Sequence, residues 1–408
     1  MKQLSLAWAL ALALALAPLA SQAQTTEQKL ESLRQEIERL KAEVARQRTE
    51  PAASATSSAP SSTSIFGYGE FNYNRYRDAD RTSRADLRRF VLGFGHRFSD
   101  QLTFNSEVEI EHAVSSAQDR GEVEIEQAYL NYQVNEAFNV KGGLFLIPLG
   151  ILNEKHEPPT YYGVERNEVE TRIIPTTWRE LGFGVHGLFA QGFRYDVGIT
   201  TGFNTGKLDD PSVGIGSAHQ EGSQADAKDL STYAALNYER PGLLIGGGVF
   251  SGNTGQNGQA NPLLKGVAAK FTLWDIHARY NIARWDLQAL YTQGKLGDAD
   301  KLNAVTSTAS TPFAAPRSMK GWYGQAAYHV YRNGDLDVAP FVRVERFEIR
   351  QQEDEALGLF QDPNNLERVR TIGVNFRIHP QVVLKTDIQR YSVDRTKDRF
   401  NVGLGYMF

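Results

Sequence analysis

The lengths of the connections constrain this chain more than any single motif. From Ile65 onward, strand-like stretches fall at 65–77, 86–98, 101–112, 122–134, 137–146, 180–189, 193–203, 229–239, 242–251, 266–281, 284–295, 319–331, 336–350, 366–378, 381–392 and 397–408. The links after even-numbered stretches are short: Ser99-Asp100, Asn135-Glu136, Ala190-Gln191-Gly192, Arg240-Pro241-Gly242, Ile282-Ala283, Arg332-Asn333-Gly334-Asp335 and His379-Pro380. The links after odd-numbered stretches run long, at 147–179, 204–228, 252–265, 296–318 and 351–365. Tight turns at one end and long loops at the other describe an antiparallel barrel wall. A soluble sandwich has no reason to sort its loops this way.

The stretches themselves alternate as half-buried strands do. Phe90, Leu92, Phe94 and Phe98 oppose Arg89, Gly93, Gly95 and Arg97, and Trp285, Leu287, Ala289 and Tyr291 oppose Arg284, Asp286, Gln288 and Thr292. Leu102, Phe104, Val108 and Ile110 oppose Thr103, Asn105, Glu107, Glu109 and Glu111. The final stretch sets Phe400, Val402, Leu404, Tyr406 and Phe408 against Arg399, Asn401, Gly403 and Gly405. The expected fold is therefore all-β, a 16-stranded antiparallel transmembrane β-barrel over 65–408 with both ends of the wall at the tight-turn rim, so that no strand edge is left unpaired. Two stretches break the pattern. Glu124 and Glu126 share parity with Ala128, Leu130 and Tyr132, and Phe271 and Leu273 lie on the face opposite Trp274, Ile276, Ala278 and Tyr280. A bulge in each would reconcile them.

Composition agrees with such a wall. A mean hydropathy of -0.42 looks soluble, but a barrel's lumen face and loops are polar. With no cysteine, disulfides, thiolate metal sites and cysteine nucleophiles are excluded. A net charge of -4 without a basic patch gives no reason to expect nucleic acid as a partner.

The N-terminal part is organised differently. Lys2, the apolar run Leu4 to Ala17 and the small-x-small site Ser21-Gln22-Ala23 form a signal peptide, 1–23. The run falls short of the roughly 20 apolar residues that a spanning helix needs. Leu30, Leu33, Ile37, Leu40 and Val44 are spaced as an a/d seam, with Glu36 and Glu43 at g and Lys41 and Arg48 at e. This predicts an N-terminal α-helical coiled coil in the periplasm over 24–49. A helix lying on another surface is the alternative. The Pro/Ala/Ser/Thr stretch 50–64 reads as a flexible linker.

The longest gap between strands, 147–179, holds Pro148, Pro158, Pro159 and Pro175 and the aromatics Tyr161, Tyr162 and Trp178. Irregular backbone at membrane depth is tolerated where it lines a water-filled lumen, so this loop is expected to fold inward as a pore constriction. An outward lid or a subunit-contact loop is the other reading. Its charges are mixed, with Lys155, Arg166, Arg172 and Arg179 against Glu154, Glu157, Glu165, Glu168 and Glu170. Strand parity turns Arg89, Arg97, Lys141, Arg194, Arg279, Arg343, Arg377, Lys385 and Arg399 into the lumen, and also Glu70, Glu107, Glu109, Glu111, Asp196, Asp275, Asp286, Glu345 and Asp387. The two sets nearly balance, and many of these charges are as readily explained as cross-lumen ion pairs that stiffen the wall.

The sixteen-strand plan, the long fifth loop carrying Glu165-Arg166-Asn167 and the aromatic C-terminus resemble the phosphate-selective porin O and P family, over about residues 65–408. The N-terminal coil is similar to that of coiled-coil-bearing relatives described as dicarboxylate channels. The resemblance implies a homotrimeric outer-membrane diffusion channel narrowed by that loop, with basic residues guiding small anionic solutes among outer-membrane lipids. The loop shows no basic excess of its own, a departure that puts phosphate specificity in question.

Enzyme chemistry finds no footing. The eight histidines are scattered without metal-ligand spacing, so neither a metal nor another cofactor is expected. His186, His277 and His329 read as polar lumen residues. There is no Gly-x-Ser-x-Gly elbow, and Gly246-Gly247-Gly248 lies within a strand rather than in a phosphate-binding turn. The expected function is passive diffusion of small hydrophilic solutes, in particular anions such as phosphate or dicarboxylates. The alternatives are a weakly selective general porin, or a structural barrel that contacts a periplasmic partner or the cell wall through residues 24–50.

Overall fold

The computed structural model describes residues 62–114, 116, 121–210, 214–307 and 313–408. The expected signal peptide and coiled coil, and the linker up to residue 61, lie outside the described residues.

The wall is built from seventeen strand segments. They are β1 (Thr63–Tyr76), β2 (Arg84–Arg97), β3 (Leu102–Glu111), β4 (Val123–Asn135), β5 (Phe138–Leu146), β6 (Arg179–Phe189), β7 (Phe193–Thr200), β8 (Ser231–Arg240) and β9 (Leu243–Asn253). Then follow β10 (Lys270–Ile282), β11 (Trp285–Leu296), β12 (Pro316–Tyr328), β13 (Tyr331–Asn333), β14 (Leu336–Gln351), β15 (Leu366–His379), β16 (Val382–Tyr391) and β17 (Arg399–Met407). Both β12 and the short β13 pair with β14, so they form one stave interrupted at His329 and Val330. The barrel therefore has sixteen staves. Every neighbour is antiparallel, and β1 pairs with both β2 and β17, which closes the ring. Closure leaves no edge to template aggregation.

Several boundaries shift from the sequence reading, by as much as four residues at the start of β10, and two of the shifts move named residues. β1 begins at Thr63, and Thr63 and Ser64, placed in the linker on composition, pair with His96 and Gly95 of β2. Small polar residues make a strand here because β2 offers them a ladder. Arg179, assigned to the long loop, is the first residue of β6 and pairs with Leu146.

Alternation holds along most of the wall. On β17, Phe400 and Val402 face outward while Asn401, Gly403 and Gly405 face in and are buried. The break in β4 is a bulge. Glu107 pairs with Gln127 and Val108 with Ile125, which leaves Glu126 as the extra residue. The bulge brings Glu126 and Glu124 inside while Leu130 stays outward, a re-aiming that bulges commonly perform.

The bulge expected in the tenth strand is absent. β10 keeps an unbroken register against both β9 and β11, and Phe271 and Leu273 simply point inward, fully buried. They do so because the long-loop end of the lumen is not all water. Segments 147–178, 201–210, 214–230, 254–269, 297–307 and 313–315 fold over it and build an apolar core that includes Trp178, Phe203, Phe250, Phe271, Leu264 and Leu302. The Trp178 ring lies 4.5 Å from that of Phe250 and 5.1 Å from that of Phe203. Trp178→Ala should cost about 3–5 kcal/mol by cavity formation, read as a lower temperature for the gel-mobility transition of the folded barrel.

Candidate pore constriction

The segment between β5 and β6 enters the lumen, and carboxylates on the wall hold it there. The Gly150 backbone N–H donates to Asp275 of β10 at 3.1 Å, that of Glu168 to Glu345 of β14 at 2.6 Å, and that of Val164 to Asp387 of β16 at 2.7 Å. The Tyr161 hydroxyl donates to Glu70 of β1 at 2.8 Å, and that of Tyr162 to Asp286 of β11 at 3.1 Å. Tyr323 of β12 donates in return to Glu170 of the segment at 2.9 Å. Only a segment that crosses the lumen from its roots at β5 and β6 can reach these six staves, which lie in the arc from β10 round to β1. Inside the segment, Glu170 also accepts the backbone N–H groups of Ile151 and Leu152. Irregular backbone at this depth is thus satisfied by side chains, as it must be away from bulk water.

Glycines on the inner wall make room for it. A Cβ on Gly405 would lie 2.3 Å from the Pro158 Cβ, one on Gly403 3.0 Å from Val164, one on Gly248 3.1 Å from Leu149, and one on Gly321 3.1 Å from Val169. The bare face of the last strand is therefore the seat of the inserted segment.

The basic residues expected in the lumen divide into two groups. Several are neutralised in the wall. Arg89 pairs with Glu70 at 2.9 Å and Glu109 at 3.3 Å, Lys141 with Asp196 at 2.6 Å, Arg343 with Glu345 at 2.8 Å, and Arg279 with Asp286 at 2.6 Å. Arg179 pairs with Glu221 at 3.3 Å and also with Glu124, and Arg194 pairs with Glu154 at 3.0 Å. Within the segment, Arg172 meets Glu168 at 2.6 Å. Burial pushes the Glu168 carboxyl up, but the Arg172 guanidinium and the Tyr391 hydroxyl outweigh it and hold the group below the usual carboxylate range.

The other group is held without a carboxylate partner among the described residues. Arg166 donates to the Thr176 and Thr177 hydroxyls and the His156 carbonyl, and Lys385 to the Gly163 carbonyl at 3.0 Å with its ammonium 3.5 Å above the Tyr161 ring. Arg377 donates to the Pro159 carbonyl, and Arg399 to Gln389 and Tyr76. Their partners are neutral oxygens and a π face. Glu165 accepts from Asn74 at 2.9 Å.

Two cavities flank the segment. At the long-loop end, about 770 Å³ is bounded by Arg84, Arg88, Arg89, Arg166, Arg172 and Arg399, with Glu70, Asp86, Glu165 and Glu168 among the acids. At the tight-turn end, about 440 Å³ is bounded by Lys155, Arg240, Arg279 and Arg377, with Glu239 the acid. Pro159 and Thr160 face the second cavity, while Tyr161 and Val164 to Arg166 face the first. The stretch 159–166 therefore stands between them. Arg97 lies apart from both, exposed at the tight-turn end of β2.

Parity reasoning missed Arg84 and Arg88. The register of β2 slips where Glu70 pairs with Arg89 and Phe71 with Leu87, leaving Arg88 as a bulge beside Arg89. The signal was visible as apolar Leu87 falling out of phase with Phe90 and Leu92. Arg89 is anchored rather than free. Arg89→Ala strands buried Glu70 and Glu109, so it should destabilise the barrel by about 3–5 kcal/mol, measured as a lower gel-mobility transition. Gly405→Val should unseat Pro158, at a cost of about 1–3 kcal/mol for overpacking. Broadened single-channel current levels would show it.

Comparison with known proteins supports the channel reading. The model of the family described as phosphate-selective porin O and P matches residues 65–210. An uncharacterized protein of Aquifex aeolicus is 32% identical over 359 residues, which cover 85% of this chain and 80% of that protein. Among solved structures, Salmonella typhi OmpF is similar with a TM-score of 0.59 at 12% identity, over 85% of this chain and 97% of that one. An anion-selective porin from Comamonas acidovorans is similar with a TM-score of 0.53 at 13% identity, over 86% and 100%. At such identities the two structures speak for the fold alone, a porin barrel. The chain belongs to the phosphate-selective porin O and P family of bacterial outer-membrane channel proteins.

Proposed function

We propose that this barrel is a passive diffusion channel for small hydrophilic anions, with phosphate and dicarboxylates as the solute classes to test first. One observation carries the reading. The inward acids Glu70, Asp275, Glu345 and Asp387 are occupied in fastening the inserted segment, while Arg166, Lys385, Arg377 and Arg399 keep neutral partners. The count of inward charges nearly balances, but their availability to a passing ion does not. Arginines around the outer cavity and Lys155, Arg240 and Arg377 around the inner one give an anion favourable stations on both sides of 159–166. Several moderate sites in series allow entry without a trap. Guanidinium forks suit carboxylate and phosphate oxygens, and the porin of Comamonas acidovorans that shares the fold is described as anion-selective.

In this reading 159–166 with Arg166, Glu165 and Glu168 forms the constriction. The channel assembles as a homotrimer, as the family resemblance implies. An apolar groove on the outside of β5 to β8, bounded by Phe183, Val185, Val197 and Ile199, is a face for lipid or a sister subunit. The N-terminal segment 24–49 serves as a periplasmic extension and is not needed for the barrel contacts. Deleting residues 24–49 should leave trimers on gentle gels; monomers would refute that part.

Reversal potential in a KCl gradient across a planar bilayer tests the selectivity. An anion-side value is expected, a value near zero would favour a general porin, and absent conductance would favour a structural barrel. The Arg84→Ala, Arg88→Ala double variant should lower the anion-to-cation permeability ratio. Losing one charge near the path is worth about 1 kcal/mol in water, or roughly fivefold. An unchanged ratio would take both residues out of the path.

A further inference from the structure

The outer wall near the long-loop rim carries a group of arginines that the lumen does not use. Arg346 on β14, Arg368 and Arg370 on β15 and Arg390 on β16 alternate with the buried inward residues Glu345, Phe347, Val369, Thr371 and Gln389, so they face away from the barrel. Register sets them in two directly opposed pairs, Arg346 against Arg368 and Arg370 against Arg390. Side chains in such pairs start from Cβ atoms about 5 Å apart, and like charges so placed destabilise a sheet. Elsewhere the same rim is uncharged: Ile199, Thr232, Ser251 and Thr272 follow one another in register across β7 to β10.

Acids of this rim are engaged elsewhere or meet one arginine only. Asp398 lies 3.4 Å from Arg390, and Glu348 is taken by Lys320 at 3.2 Å and by Arg350. Glu367, the carboxylate next to Arg368 in the chain, is buried and accepts the backbone N–H groups of Ser392, Val393 and Asp394. Among the described residues no carboxylate lies within ion-pair distance of Arg346, Arg368 or Arg370, and their guanidinium groups make no hydrogen bond to the protein.

The surroundings select the partner. Long loops of an outer-membrane barrel lie on the outside of the cell, so this rim belongs to the outer leaflet. Val342, Ile372, Ile388 and Phe400, all exposed, form the next outward row, about 7 Å nearer the membrane centre. Trp322, opposite Arg346, stands where tryptophan is enriched, between the apolar band and the headgroups. An arginine at this level can rest its stem on the apolar band and hold its fork among the headgroups. A free phosphate would leave the apolar row unused, whereas a lipid covers both. We propose that Arg346, Arg368, Arg370 and Arg390 bind the phosphate groups of an anionic outer-leaflet lipid, whose acyl chains lie along the row from Val342 to Phe400. Guanidinium forks match phosphate oxygens, and the bound anion removes the repulsion within each arginine pair. The patch lies outside the lumen and does not depend on the anion reading.

Native mass spectrometry of the full-length protein in a non-ionic detergent tests it, with diphosphoryl lipid A, phosphatidylcholine or inorganic phosphate added in turn. Lipid A is expected to stay bound, while phosphatidylcholine, with no net charge, and inorganic phosphate are shed. The Arg368→Gln, Arg370→Gln double variant should hold lipid A about twenty-fivefold more weakly, at roughly fivefold per charge removed. Each substitution takes one member from a like-charge pair, so the gel-mobility transition of this variant in lipid-free detergent should stay level or rise. A lower transition would overturn the proposal by giving the arginines a structural role. Arg368→Glu, which sets an acid opposite Arg346, should raise that transition while weakening lipid A retention, and stands as the test should the double variant not fold. Equal retention of phosphatidylcholine, lipid A binding unchanged in both variants, or an adduct with inorganic phosphate alone would overturn the proposal. So would loss of the oligomer in the variants without loss of lipid A, which would make this face a contact between copies of the chain.

Discussion

The structure depends on hydrogen bonds from the backbone of one inserted segment to carboxylates on the barrel wall. A loop carrying four prolines has few ways to satisfy itself, and at membrane depth it has no bulk water to turn to. Asp275, Glu345 and Asp387 accept its N–H groups, while Glu70 and Asp286 accept its tyrosine hydroxyls. Charge-assisted bonds of this kind are among the stronger ones available to a protein. They fix the segment across the lumen and so decide how wide the lumen is and which charges line it.

The same bonds govern electrostatics. A carboxylate that accepts a buried N–H, or faces an arginine at under 3 Å, contributes less repulsion to a passing anion than a bare one. Lys385 illustrates the converse: it is held by a carbonyl and a tyrosine face, with no carboxylate among the described residues within ion-pair distance. Anchoring and selectivity therefore come from one set of side chains, and the acids cannot be removed to increase anion preference without releasing the loop.

Much of the wall was legible in the sequence. Alternation and loop lengths yield sixteen staves, their direction and most of their boundaries to within a residue or two, because both follow from the two-residue period and from where turns must fall. What alternation could not convey were its local failures and the contents of the lumen. Phe271 and Leu273 look like a register fault, but they are inward residues under a cap of long loops. Arg88 and Glu126 sit at bulges, and a one-residue slip flips every assignment beyond it. Charge availability was invisible for another reason. Parity says which way Glu345 or Asp387 points, but only the folded loop says that each is already bonded.

The glycines of β17 carry a consequence for biogenesis. Pro158 and Val164 belong to a loop from the first half of the chain, and the hollows they occupy, Gly405 and Gly403, lie in the last strand to be made. Until that strand docks between β16 and β1, the loop lacks part of its socket. Sealing the cylinder and narrowing its bore are thus coupled events. A chain truncated before Gly403 would lose its closing stave and, with it, the surface that shapes the channel's interior.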